Sequence, residues 1–124
     1  MAFATDIALN DAASVAKTFS LRKSDGYNSE RIDQASTQAE PRLMIIKHSK
    51  QGVGDQLMDR HLLSFQKTKK DAVTGKLYTA VVNVTVTVPA NGVLSRTDID
   101  DLIVFERGFL TTTANVDKFL RSEP

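Results

Sequence analysis

The chain contains no cysteine in 124 residues. That excludes a disulfide framework and any thiolate zinc centre, and it suits a reducing compartment. Histidine is almost as scarce, with only His48 and His61. A zinc site without cysteine would need carboxylates beside them, and none stands at ligand spacing. Each is expected to be a strand histidine with an ordinary hydrogen-bond partner, so no metal and no cofactor is expected. No apolar run approaches the roughly 20 residues needed to cross a bilayer, so no membrane partner is expected. The segment Met1-Ala2-Phe3-Ala4-Thr5-Asp6 lacks the charged and apolar regions of a secretory signal.

Catalytic motifs are missing as well. There is no Gly-x-Ser-x-Gly elbow. Gly52-Val53-Gly54 lacks the third glycine and the strand-to-helix setting of a dinucleotide loop, and reads as a turn. Thr74-Gly75-Lys76 ends like a phosphate loop, but Lys70 stands where the earlier glycine is required. Asn83-Val84-Thr85 matches a glycosylation sequon but falls inside an expected strand. Asp98, Asp100 and Asp101 sit at an expected helix start, where the helix dipole accounts for them. No convergent set of polar groups can be assembled, so an enzyme is not expected.

What is present is a pattern of two faces. The length fits a single domain, residues 1–124. Net charge is only +1 but unevenly spread. Residues 42–76 carry eight basic and three acidic groups, residues 1–41 and 95–124 carry four basic and six acidic each, and residues 77–94 carry none. A basic centre between acidic ends suggests one surface that meets phosphate.

The first 90 residues read as strands: Asp6–Leu9, Ser14–Arg22, a weaker Tyr27–Asp33, Arg42–Lys50, Leu57–Lys69 and Leu77–Val88. Asp25-Gly26 marks a turn, residues 34–41 a polar loop and residues 70–76 a short connection. Leu77–Val88 is the clearest strand. Val82, Val84, Val86 and Val88 fall on one face and Val81, Asn83, Thr85 and Thr87 on the other. Leu63 and Phe65 join the apolar side. Beyond Pro89-Ala90-Asn91-Gly92 the period becomes helical. Ser95 with Asp98, or Thr97 with Asp100, offers a capping box. Ile99, Leu102, Ile103, Phe109 and Leu110 mark the first helix. Thr111-Thr112-Thr113 interrupts, and Ala114–Arg121 forms a second helix with Val116, Phe119 and Leu120 on its apolar side. Strands segregated from helices predict an α+β fold with the helices on one face of an antiparallel sheet.

The ordered combination resembles the coat proteins of the single-stranded RNA bacteriophages, the levivirus group. The strongest likeness is Leu77 to Ile103: Leu-Tyr-Thr-Ala-Val-Val-Asn-Val-Thr-Val-Thr-Val-Pro, a short loop, then Thr-Asp-Ile-Asp-Asp-Leu-Ile. Met44-Ile45-Ile46-Lys47-His48-Ser49-Lys50, Asp59-Arg60-His61-Leu62-Leu63-Ser64-Phe65-Gln66 and Asp25-Gly26-Tyr27-Asn28-Ser29-Glu30 match further strands in order. The resemblance implies an N-terminal hairpin over residues 1–24, a sheet of about five strands over 27–89 and two helices over 95–121. It implies an intertwined dimer whose helices pack on the partner's sheet, and an icosahedral T=3 shell that forms in the bacterial cytoplasm and becomes the virion capsid. It also implies single-stranded viral RNA, including an RNA hairpin, on the inner sheet face. The expected RNA-binding residues are Lys47, Ser49, Arg60, Ser64, Gln66, Asn83, Thr85 and Thr87. Leu43, Ile45, Leu62 and Val81 stand where some relatives place polar RNA contacts, and the 70–76 loop is shorter than in many. The residues alone also admit a dimeric β-sheet nucleic-acid-binding protein without a shell, a small α+β enzyme, or a monomer whose helices cover its own sheet.

Overall fold

The computed structural model describes residues 3–124. Met1 and Ala2, which begin the expected N-terminal hairpin, lie outside the described residues. Six strands are followed by two helices: β1 (Asp6–Asn10), β2 (Ala16–Ser24), β3 (Ser29–Asp33), β4 (Arg42–Gln51), β5 (Met58–Lys70), β6 (Leu77–Pro89), α1 (Arg96–Thr111) and α2 (Thr113–Leu120). The strands form one antiparallel sheet in sequence order, β1 to β6. This is the α+β arrangement expected, with one correction. The N-terminal hairpin is not set apart from a five-stranded sheet. β2 pairs with β3 through Phe19↔Asp33, Ser20↔Ile32 and Leu21↔Arg31, so the hairpin is the first third of a six-stranded sheet. The reason is apolar: Phe19 can leave water only by joining the side chains of β4 and β5.

Aspartates shape the three tight hairpins. Asp11 Oδ1 accepts from the backbone N–H groups of Ala13 and Val15 between β1 and β2. Asp25 Oδ1 accepts from Tyr27 and Asn28 between β2 and β3, beside Gly26 at φ +85°. Asp71 Oδ1 accepts from Val73 between β5 and β6. Each carboxylate offers the turn an acceptor that a backbone group would otherwise have to supply. The connection from β4 to β5 is different. It runs through Gly52 at φ +85° and a single 3₁₀ turn, Gly54–Gln56. A Cβ on Gly52 would sit 2.5 Å from the Gln56 carbonyl oxygen, so only glycine fits there.

The registers divide every strand between two faces. On one, Leu21, Arg31, Met44, Phe65 and Val82 form a row across the sheet, Ile46, Leu63 and Val84 make the adjoining row on one side, and Ile7 and Phe19 lie in the row on the other. The core lies entirely on this face, as Phe19, Met44 and Ile46 with Ile7, Leu63 and Phe65 packed against them. The Phe19 and Phe65 rings meet edge to face at 5.9 Å between centroids. Two strands separate β2 from β5, so a flat sheet would hold these backbones about 14 Å apart at the usual strand spacing. Their contact therefore requires the sheet to curl toward the apolar face. Buried charge supports the curl. Arg31 donates to the carbonyls of Ala4 and Thr5 and to Ser29 Oγ, tying the N-terminal segment across β3. Asp33 accepts from Arg42 at 3.1 Å.

The first helix is capped by side chains, and neither helix is covered. Ser95 and Asp98 complete the capping box, so the first of the two expected caps is the one used, and Thr97 lies within the helix. The Ser95 backbone N–H holds the Asp98 carboxyl below its ordinary range. Neither helix has a buried residue. Phe105 is 70% exposed, Phe119 65% and Leu120 75%. The reading in which the chain's own helices cover its own sheet is therefore overturned. α1 passes the edge of β6, leaving a hollow of about 190 Å³ between Val86 and Ile99, Leu102 and Ile103.

Candidate nucleic-acid interface

The face opposite the core is polar along its outer strands. Ser49 on β4, Arg60 on β5 and Thr87 on β6 form one row across three strands. Lys47, Leu62 and Thr85 form the next, Ile45, Ser64 and Asn83 the third, and Leu43, Gln66 and Val81 the fourth. All eight residues expected to meet RNA thus share one face, because each strand keeps strict alternation without a bulge from β4 to β6. Six of them are exposed: Lys47, Ser49, Arg60, Asn83, Thr85 and Thr87. Gln66 is half-buried. Ser64 is only 3% exposed and lies between Ile45 and Asn83, with Gln66 Nε2 at 3.5 Å from its hydroxyl. It supports its neighbours rather than offering a contact to a molecule on the surface.

Electrostatics set two of these residues apart. Among the described residues, five basic side chains of β2 and β4 are paired with carboxylates, Lys17 with Asp11, Arg22 and Lys23 with Glu30, Arg42 with Asp33 and Lys50 with Asp59, whereas Lys67, Lys69 and Lys70 at the far end of β5 are not. Lys47 and Arg60 have no such carboxylate partner among them. They are diagonal neighbours one row apart, about 7–8 Å in a regular ladder. Together they line a shallow hollow of about 290 Å³ with Ser49, Leu62, Asn28 and His48. Two unneutralised cations beside hydroxyls form a surface that accepts phosphate oxygens, and Leu62 between them offers an apolar platform.

Sequence reasoning missed Asn28. Its Oδ1 accepts the His48 backbone N–H at 3.1 Å, which brings the β2–β3 turn against β4 beside Lys47. Nothing in the sequence signals this, since Asn28 follows an Asp-Gly turn and looks like turn chemistry. The apolar residues Leu43, Ile45 and Leu62 also lie on the polar face, half-buried. The face is therefore mixed, with its exposed polar groups gathered toward β6 and the β4–β5 turn.

The sequence model of the phage phiCb5 coat protein family matches residues 4–89, which is all six strands. This chain belongs to that family. Solved structures extend the likeness over the helices. The virus-like particle of bacteriophage AVE019 has a TM-score of 0.72 at 17% identity, covering 98% of this chain and 96% of that one. That of Beihai levi-like virus 21 gives 0.74 at 10% identity, covering 97% and 95%. That of bacteriophage ESE058 gives 0.72 at 18%, covering 94% of each. No curated protein sequence matches the chain. The chain is thus a structural protein of the capsid of an RNA phage, not an enzyme, and its place is in the virion. The coat protein shares its fold with these chains of virus-like particles.

Proposed function

We propose that this coat protein pairs through β6 with a second copy, that such dimers close an icosahedral shell, and that the Lys47–Arg60 face holds the single-stranded viral RNA inside it. The observation that carries the reading is the unfinished half of the molecule. β6 is a 13-residue edge strand with no charged residue. Natural sheets guard such an edge with lysine, proline or a bulge, and here the only proline is the terminal Pro89. Val82 is 61% exposed, and the apolar sides of α1 and α2 are open. A second copy related by a two-fold axis would join β6 to β6 and lay each pair of helices across the other's valines. This isologous arrangement satisfies the edge and the apolar face in one step. Burial of each large side chain then contributes about 1.5–3 kcal/mol.

On the opposite face, the joined sheet would carry two Lys47–Arg60 clusters flanking a central band of Asn83, Thr85 and Thr87 from both copies. Phosphate neutralisation gives affinity that falls with salt. The amide and hydroxyls add hydrogen bonds to unpaired bases and 2′-hydroxyls. Expression of the chain alone in bacteria followed by electron microscopy tests the shell, and absorbance of the purified particles tests the RNA. Shells containing RNA are expected. A small soluble monomer without nucleic acid would overturn the reading, and RNA-binding dimers without particles would favour a β-sheet binding protein that builds no shell.

A further inference from the structure

His48 on β4 and His61 on β5 are direct register partners on the core side of the sheet. Their Nδ1 atoms lie 2.9 Å apart, with ring centroids 5.1 Å apart and planes at 71°. Neither nitrogen has another partner among the described side chains. This is hydrogen-bonding distance, and which ring donates depends on the tautomer. The chain's only two imidazoles, 13 residues apart in sequence, thus point the same nitrogen at one another. We propose that His48 and His61 form a two-imidazole binding site for a divalent late-transition-metal ion, which takes the place of their mutual hydrogen bond and links β4 to β5.

The distances fit this ligand class. Metal–imidazole bonds are about 2.0–2.1 Å, so a bound ion holds the two nitrogens about 2.9 Å apart at a right angle and about 3.3 Å apart at the tetrahedral angle. Small rotations of the two rings therefore bring both lone pairs onto one ion without moving the strands. Imidazole nitrogen suits copper, nickel and zinc, with copper bound most tightly among them. The charged groups in the adjoining row on this face are Lys50 and Asp59, which neutralise each other at 3.3 Å. On the other side of His48 stands Tyr27, its ring edge-on at 6.1 Å. Across β6 the partner of His61 is the uncharged Val86. The unpaired cations beside the pair in sequence, Lys47 and Arg60, lie on the opposite face of the sheet. His61 is exposed and His48 half-buried, so solvent reaches the pair. Among the described residues no third histidine or carboxylate completes a cluster, so water fills the remaining positions and binding is weaker than at a structural zinc centre.

The consequence is mechanical. β4 and β5 carry Lys47 and Arg60, and the pair sits beside the glycine-dependent turn that joins them. An ion bridging the two strands stabilises the folded sheet by mass action. The test uses assembled particles freed of metal with a chelator and titrated with cupric ion, followed by electron paramagnetic resonance. One ion per chain with the splitting of two imidazole nitrogens is expected, together with a melting temperature that rises with copper. His48→Ala and His61→Ala should each weaken binding at least ~10-fold, since losing even an outer-shell partner of a bound metal costs about that much. Each should also abolish the two-nitrogen signature and the copper-dependent rise. Electron microscopy checks that each variant still forms particles, and His61→Gln carries the same measurements where alanine prevents assembly. Unchanged copper binding in the variants, or a wild-type signal from fewer than two imidazoles, overturns the proposal.

Discussion

The sheet from β1 to β5 and the segment from β6 to α2 obey opposite rules of burial. Phe19, Met44 and Ile46, the buried apolar residues, all lie in the first region, as do the buried Arg31, Asp33 and Ser64. The second has none, although it carries the longest run of alternating valines and both amphipathic helices. In a protein that works as a lone chain such a division would be unstable, because open apolar faces of this extent associate. In a coat protein it is the working design. One region folds on itself and carries the basic surface, and in the dimer proposed above the other would be completed by a second copy.

The largest effect should come from charging the open region. Val82→Asp puts a carboxylate at a site that is 61% exposed in the single chain. A solvated aspartate would cost little there if the face stayed in water. Loss of dimers and particles in size-exclusion chromatography and electron microscopy is expected, and wild-type particles would remove the assembly reading. Next is the closed region. Phe19→Ala deletes a 4%-exposed ring that contacts Phe65 across two strands, and should lower stability by about 3–5 kcal/mol in urea denaturation. A loss below 1 kcal/mol would mean that the curl does not depend on this contact. Gly52→Ala forces a side chain into a left-handed position against the Gln56 carbonyl, and about 1–3 kcal/mol should be lost.

A smaller effect sharpens the comparison from the other side. Lys47→Ala combined with Arg60→Ala alters only the polar face of the closed region, so dimers should persist. RNA affinity should fall, and the slope of log affinity against log salt should shrink by about 1.4, since single-stranded binding loses about 0.7 per phosphate contact. Filter retention across a salt series measures this, and an unchanged slope would move the RNA to another surface. The mildest effect is on acidification. Backbone N–H groups of Val15, Asn28 and Val73 lower the carboxyls of Asp11, Asp25 and Asp71 beneath their ordinary value of 3.8. The folded chain therefore binds these protons less readily than the unfolded one. The stability they lend is full above the ordinary value and is lost as pH falls through the lower, folded ones. The urea midpoint should drop on going below that range, and Asp25→Asn should make the drop smaller.

Much of this was legible in the residues, and the exceptions share a cause. Alternation from Leu77 to Val88 placed both faces of β6, and the same parity assigned Lys47, Arg60, Asn83 and Thr85 to one surface. Two capping boxes, Ser95 with Asp98 and Thr97 with Asp100, marked the helix start to within two residues, and the first is the one used. The strand ends were read within two residues, because Asp-Gly and Asp-containing turns are local chemistry. The burial of Ser64 was not legible, since parity tells which face a residue occupies but not how deep it lies. The separate hairpin was misread. Whether β2 adds to β3 depends on Phe19 finding Phe65, a contact 46 residues away that no window along the chain contains.

The sequence by itself determined the period of every element, the polarity of each face, the caps and turns, and the concentration of basic groups between residues 42 and 76. These follow from backbone geometry and from neighbours a few positions apart. Only the tertiary structure decided that one sheet holds all six strands, that Arg31 and Asp33 are buried while Lys47 and Arg60 stay free of carboxylates, and that the helices leave their own sheet uncovered. Those outcomes depend on curvature and on which side chains meet across strands, and alternation along a chain carries no information about either.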